Sequence, residues 1–302
     1  MSRNLVLKYI NNSDSNEPIN QEEINVISRN SGISELHLEN EFDQVIDGLD
    51  YIKTLIINST EFNSNIINCK KLVKLVINSE YFNSIIEFPE TLEYLKIVSE
   101  FYDNPLNLNH TKLKYLHIKS LDFNHPLDNL PDTLETLDIS SEKYTHQINN
   151  LPTSLINCNL YISSTYKHDF IYLPPKIRKL DIKFAHSSST HYTIPLENLP
   201  NITELNLLNY FGDFNILPNS IEFLDIKYSH DNDYNRNDII RNVFNKLVKL
   251  PENLKQINYQ SDIYQSRKHT FAANPHLKHL NILALITAKV NLSGIIVNGE
   301  PY

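Results

Sequence analysis

Twelve His and two Cys residues are spread thinly through the 302-residue chain, and their spacing forms none of the sets that chemistry at one site requires. The sequence holds no Ser, His and Asp set, no glycine-rich phosphate loop, no His-Glu-x-x-His pair and no paired Cys spacing. Cys69 and Cys158 stand far apart, each at an apolar position, which predicts buried thiols rather than a disulfide. The nearest approach to a metal loop is the run Asp231, Asp233, Asn235, Asn237 and Asp238, which resembles the first half of a calcium loop. Arg236 stands where the sixth position needs Gly, and Asn242 where the twelfth needs Glu, so the bland reading is preferred: Asp238 caps a helix whose Ile240, Val243, Phe244 and Leu247 share a face. No catalytic residue, no metal and no cofactor is expected.

The informative polar and aromatic residues instead fall into two regularly spaced columns. One runs Glu35, Thr54, Lys74, Tyr94, Tyr115, Thr136 and onward through Lys179, Glu204 and Phe223. The other, two residues further on, runs His37, Ile56, Val76, Lys96, His117, Asp138 and onward through Asp181, Asn206 and Asp225. Two readings stand side by side. The Asn and Asp positions would form a hydrogen-bonded ladder on a β surface, with the apolar and aromatic residues merely suiting that surface. Alternatively the columns form a partner-binding wall, with Tyr94, Tyr115 and Phe223 as anchors and Lys96, His117, Asp138, Asp181, Glu204 and Asp225 around them.

The columns exist because a single frame repeats. Leu134, Leu137 and Ile139 place one apolar residue three and five positions before two others, and the last two alternate as a strand requires. The frame returns at Ile33, Ile52, Leu72, Leu92, Leu113, Leu155, Ile177, Ile202 and Ile221, then more loosely at Leu254 and Leu277. The steps run at roughly 19 to 25 residues with one longer step, which is the leucine-rich-repeat range. This predicts a solenoid of about 12 short repeats, with a parallel concave sheet and a convex side of extended segments and turns. After each strand comes an aromatic (Phe42, Phe62, Phe82, Phe101, Phe123, Tyr144, Tyr166), expected to form a buried layer on the return side. Asn residues behind it and the Ser column Ser59, Ser79, Ser99, Ser120 and Ser141 are expected to bond turn backbone. Pro89, Pro131, Pro152 and their equivalents favour an extended approach to each strand.

The expected organisation has three parts. Residues 1–32 form an N-terminal cap of one short strand and a helix, and residues 33–285 the repeat array, with a helical insert at 229–246. Residues 286–302 supply one or two closing strands, which protect the open edge of the last coil. A formal net charge of −9 argues against a nucleic-acid or anionic-membrane partner. No apolar run suits a signal peptide or a membrane span, so a reducing, cytoplasmic setting is expected.

Phe123, Asn124, His125, Pro126 and Leu127, leading to Leu130, Pro131, Asp132, Thr133, Leu134 and Leu137, resemble the FNIP repeat, a leucine-rich-repeat variant of social amoebae and giant amoebal viruses. Leu217, Pro218, Asn219, Ser220, Ile221 and Leu224 match its second half, as do Leu151, Pro152 and Leu155. The likeness covers roughly residues 40 to 260. It implies a protein partner, cellular or belonging to a host whose cytoplasm the protein would occupy if viral. Some members carry an N-terminal F-box and recruit substrates to a ubiquitin ligase, but the N-terminal stretch here lacks the F-box pattern. The expectation is a non-catalytic module that binds a protein on the concave strand face; a ubiquitin-ligase adaptor or an enzyme with residues converging across repeats are the alternatives.

Overall fold

A computed structural model describes residues 5–9, 21–29, 31–39, 41–170, 172–185, 196, 198–210, 212, 217–228, 251–261, 279–283 and 296–298. The insert expected at 229–246, the calcium-like run within it and most of the expected C-terminal cap lie outside the described residues. The chain divides into two compact units: unit 1 is Met1–Tyr144 with Asn150–Leu155, and unit 2 is Thr145–Asn149 with Ile156–Tyr302.

In unit 1, β1 (Leu5–Tyr9) and helix α1 (Gln21–Ser28) precede β2 (Ile33–Glu39). Then follow β3 (Ile46–Asp47), β4 (Thr54–Asn58), β5 (Ile66–Ile67), β6 (Lys74–Asn78), β7 (Tyr94–Val98), β8 (Tyr115–Lys119) and β9 (Thr136–Ser140). The sheet runs β1-β2-β4-β6-β7-β8-β9, every pair parallel. Register is set by the frame: Leu55 lies opposite Leu75, Leu75 opposite Leu95, Leu95 opposite Leu116 and Leu116 opposite Leu137. A shift of one residue would carry each Leu to the solvent face, so the burial of this row pins the whole stack. The short strands β3 and β5 pair on the return side.

Unit 2 repeats the plan. Its strands are β10 (Asn157–Ile162), β11 (Lys179–Phe184), β12 (Glu204–Leu208), β13 (Phe223–Tyr228), β14 (Gln256–Ser261), β15 (His279–Leu283) and β16 (Ile296–Asn298). They too pair in sequence order, all parallel. Each of the twelve frames read from sequence coincides with a strand. The architecture is a parallel β-solenoid in which one repeat makes one turn.

Behind the strands of unit 1 the aromatic layer stacks ring on ring. Phe42, Phe62, Phe82, Tyr102, Phe123 and Tyr144 succeed one another at centroid separations of 5.4 to 6.3 Å, with planes within 19°. Each such pair contributes about 0.5–1.5 kcal/mol beyond its buried area. Tyr102, not Phe101, fills the layer, because the inward position falls five residues after the last frame residue Ile97. Phe101, one residue earlier, points out, is 42% exposed and stacks on Tyr81.

The polar positions bond between turns. Ser59, Ser79 and Ser99 are buried and donate to the carbonyls of Phe42, Phe62 and Phe82 in the preceding repeat, each at 2.8 Å. Asp43, Asn63, Asn83 and Asp103 each accept, through Oδ1, the backbone N–H of the matching residue one repeat on, at 2.8 to 3.0 Å. The prolines close turns rather than extend the chain: Leu92, Leu134, Leu155 and Ile221 donate to the carbonyls of Pro89, Pro131, Pro152 and Pro218 at 3.0 to 3.2 Å. A fixed φ suits that tight reversal as well as it suits an extended segment. Asn68, Asn150, Asn198 and Asn209 take positive φ, from 56° to 65°, as does Gly48 at 70°. Asn tolerates this left-handed region better than other side-chain-bearing residues. That is one reason a solenoid full of turns needs only five glycines.

Candidate functional site

Strand alternation turns three positions of each repeat away from the core. In unit 1 the outward residues of β6 to β9 are Lys74, Val76 and Asn78; Tyr94, Lys96 and Val98; Tyr115, His117 and Lys119; Thr136, Asp138 and Ser140. Tyr94 and Tyr115 are register partners and lie face to face, with centroids 4.4 Å apart and planes within 5°. Lys74 Nζ sits 5.2 Å from the Tyr94 ring centre on the other side. Burial pushes the Tyr115 hydroxyl up to about 12, with Tyr94 and Asp138 adding to the effect. His117 Nδ1 and Asp138 Oδ2 are hydrogen-bonded at 2.9 Å across β8 and β9. A carboxylate orienting an imidazole is one half of a catalytic arrangement, but the register neighbours of His117 are Lys96 and Asp138, not a hydroxyl or thiol that the imidazole could activate.

Unit 2 presents a different surface. Asp181 is only 8% exposed and accepts a hydrogen bond from Asn206 Nδ2. Lys179 Nζ meets Glu204 Oε1 at 2.6 Å, and Asn206 Nδ2 donates to the same oxygen at 3.2 Å. Burial alone would raise the Glu204 carboxyl, but the bonds from Lys179 and Asn206 outweigh it and hold the group below its ordinary range. Lys227 pairs with Asp225 at 2.8 Å, and Lys183 lies 3.9 Å from Asp181. Phe223 is 43% exposed beside a shallow trough of about 440 Å³ lined by Glu204, Asn206, Asp225 and Gln256. The second oxygen of Asp225 is buried with no hydrogen-bond partner.

Tyr94, Lys96, Tyr115, His117 and Asp138 therefore share one open face in unit 1, and Asp181, Glu204, Phe223 and Asp225 one in unit 2. Of the Asn and Asp column, Asp181 and Asn206 form one hydrogen-bonded rung, which Glu204 of the neighbouring column extends, while Asn159 Oδ1 and Asp225 Oδ1 are buried without a hydrogen-bond partner. Lys74 and Lys119 also stand on the unit 1 face, beyond the site residues expected from sequence. The signal for both was present, since Lys74 shares the Tyr94 column and Lys119 lies one residue past the last frame position, where alternation turns it outward. Cys69 and Cys158 are buried and neither is in a disulfide, and burial raises the Cys69 thiol to about 11. Among the described residues no group of three His, Cys, Asp or Glu side chains could hold a metal ion. No described helix is long and apolar enough to cross a membrane.

No protein-family model and no curated protein matches the chain. Among solved structures, that of CroV588, described as a novel circular leucine-rich-repeat protein and coming from a giant virus, superposes with a TM-score of 0.61 at 21% sequence identity. The match covers 89% of this chain and 39% of that one, so the chain spans well under half of the neighbour's length. The fold is a leucine-rich-repeat solenoid.

Proposed function

We propose that this chain is a FNIP-type leucine-rich-repeat protein that binds a protein partner, without catalysis, on the open face of its strands. The observation that carries the reading is the stacked pair Tyr94 and Tyr115. Core packing does not need it, because the stack has its own buried aromatic layer on the other side of the sheet. Large, rigid aromatics on an otherwise open β surface are the usual anchors of protein contacts. The partner is a cellular or host protein in the cytoplasm, a reading supported by the FNIP-like motifs around Phe123 and Leu217 and by a structural neighbour from a giant virus. The net charge of −9 disfavours nucleic acid and anionic membrane as partners.

The test is affinity capture from amoebal lysate, identified by mass spectrometry, with wild type beside the variant Tyr94→Ala, Tyr115→Ala, Phe223→Ala. A partner retained by the first and lost by the second, with an unchanged thermal melt, supports the reading. Equal capture by both overturns it.

A further inference from the structure

We infer that the Tyr94–Tyr115 face of unit 1 takes an acidic, extended peptide segment of its partner, with carboxylates held by Lys74, Lys96 and Lys119 and an apolar side chain laid against the tyrosine edges. This rests on the binding role proposed above and names the chemistry of the ligand.

The three lysines stand on a diagonal. Lys74 is opposite Tyr94, Lys96 lies two residues beyond Tyr94 and opposite His117, and Lys119 lies two residues beyond His117. Each step crosses one strand, about 4.8 Å, and advances two residues, about 6.7 Å, so successive Cα atoms lie roughly 8 Å apart. Every second side chain of an extended peptide recurs at about 6.7 Å on one side. Flexible lysine arms absorb the difference, and the match selects acidic residues at alternate positions.

None of the three forms an ion pair among the described residues, although the chain carries 36 acidic residues against 27 basic ones. The one carboxylate among the outward residues of β6 to β9 is Asp138, and His117 already occupies it. Unit 2 handles the same outward positions differently, setting a carboxylate beside Lys179, Lys183 and Lys227. The unit 1 lysines thus hold cationic charge that the fold itself leaves uncompensated.

The tyrosines favour a peptide over single-stranded nucleic acid, which also joins cations to aromatics. Lys74 covers one face of Tyr94 and Tyr115 the other, so no face of Tyr94 is open for a base to stack on. Tyr115 faces Thr136 on its far side, so the pair offers a base one ring face at most, while its edges and hydroxyls suit an aliphatic or aromatic side chain and peptide carbonyls. The chain's overall negative charge repels a long polyanion more than a segment with a few carboxylates.

The experiment is selection of a displayed random-peptide library on the immobilised full chain, followed by affinity measurements on the enriched peptides. Wild type is compared with Lys74→Glu, Lys96→Glu, Lys119→Glu and with Tyr94→Ala, Tyr115→Ala. Single-stranded oligothymidylate and phosphatidylserine vesicles serve as rival probes. The expected result is enrichment of peptides with alternate Asp or Glu and a neighbouring apolar residue. They should bind at least about tenfold more weakly to the charge-reversed protein, and likewise when Gln replaces their Glu. Neutral or basic peptides that need the tyrosines but ignore the lysines would overturn this inference while leaving the proposed function standing. Tighter binding of the oligonucleotide or the vesicles overturns it too, and no enrichment at all overturns both.

Discussion

The strand faces of units 1 and 2 grow from the same repeat frame and use their charge in opposite ways. In unit 2, Lys179, Lys183 and Lys227 each have a carboxylate within 4 Å, and Asn206 ties Asp181 to Glu204. In unit 1, Lys96 and Lys119 have no such partner among the described residues, and Lys74 rests over a tyrosine ring. A repeat fixes where side chains point but not what they meet. One face therefore closes on itself, while the other leaves charge and aromatic surface for something else. On the function proposed above, the unit 2 face serves stability and the unit 1 face recognition.

That division is open to direct attack by substitution. The largest effect should come from Tyr94→Ala with Tyr115→Ala, which removes the anchors and should weaken partner binding by about 2–4 kcal/mol, measured by titration calorimetry. Asp181→Ala should leave binding intact and cost about 1–3 kcal/mol of folding stability in urea titration, since it removes a buried, charged acceptor and leaves the half-buried Asn206 amide with Glu204 alone. An Asp181→Ala protein as stable as wild type would erase the contrast. The pair Lys179 and Glu204 is partly exposed, so a double-mutant cycle should give a coupling of at most about 1 kcal/mol.

The pH dependence of that pair has a definite sign. The folded Glu204 carboxyl lies below its ordinary range, so its contribution is present above that range and disappears as pH falls through the folded value. Glu204→Gln should therefore differ from wild type in urea midpoint near about pH 7, and the difference should shrink as pH falls below the ordinary carboxylate range. The smallest effect belongs to Lys96→Ala, which should change stability by no more than about 0.5 kcal/mol while weakening binding. A large stability loss there would place Lys96 in the structural ladder.

Most of the fold was legible because one buried row enforces it. Leu55, Leu75, Leu95, Leu116 and Leu137 recur at nearly constant spacing, and parallel register follows from burying them together. The position of the aromatic layer was less legible. Phe101 and Tyr102 are adjacent aromatics, and only their distance from Ile97 separates the buried ring from the exposed one. The site was legible as columns and not as pairings. Sequence places Lys96 beside His117 and Asp181 beside Asn206 equally well, yet only the second pair bonds, because His117 turns to Asp138 on its other side and leaves Lys96 without an ion pair. The role of Pro131 was hidden for a similar reason, since one φ value serves both an extended segment and a turn.

Unit 1 carries its own control for the central claim, because Tyr81 and Phe101 form a second exposed, near-parallel ring pair away from the strand face, with centroids 5.8 Å apart against 4.4 Å for Tyr94 and Tyr115. Hydroxyl-radical footprinting of the free and partner-bound chain would read all four rings in one experiment. Protection of Tyr94 and Tyr115 with unchanged labelling of Tyr81 and Phe101 is the outcome expected of strand-face recognition. Protection confined to Tyr81 and Phe101 would contradict it and move the binding surface to the return side.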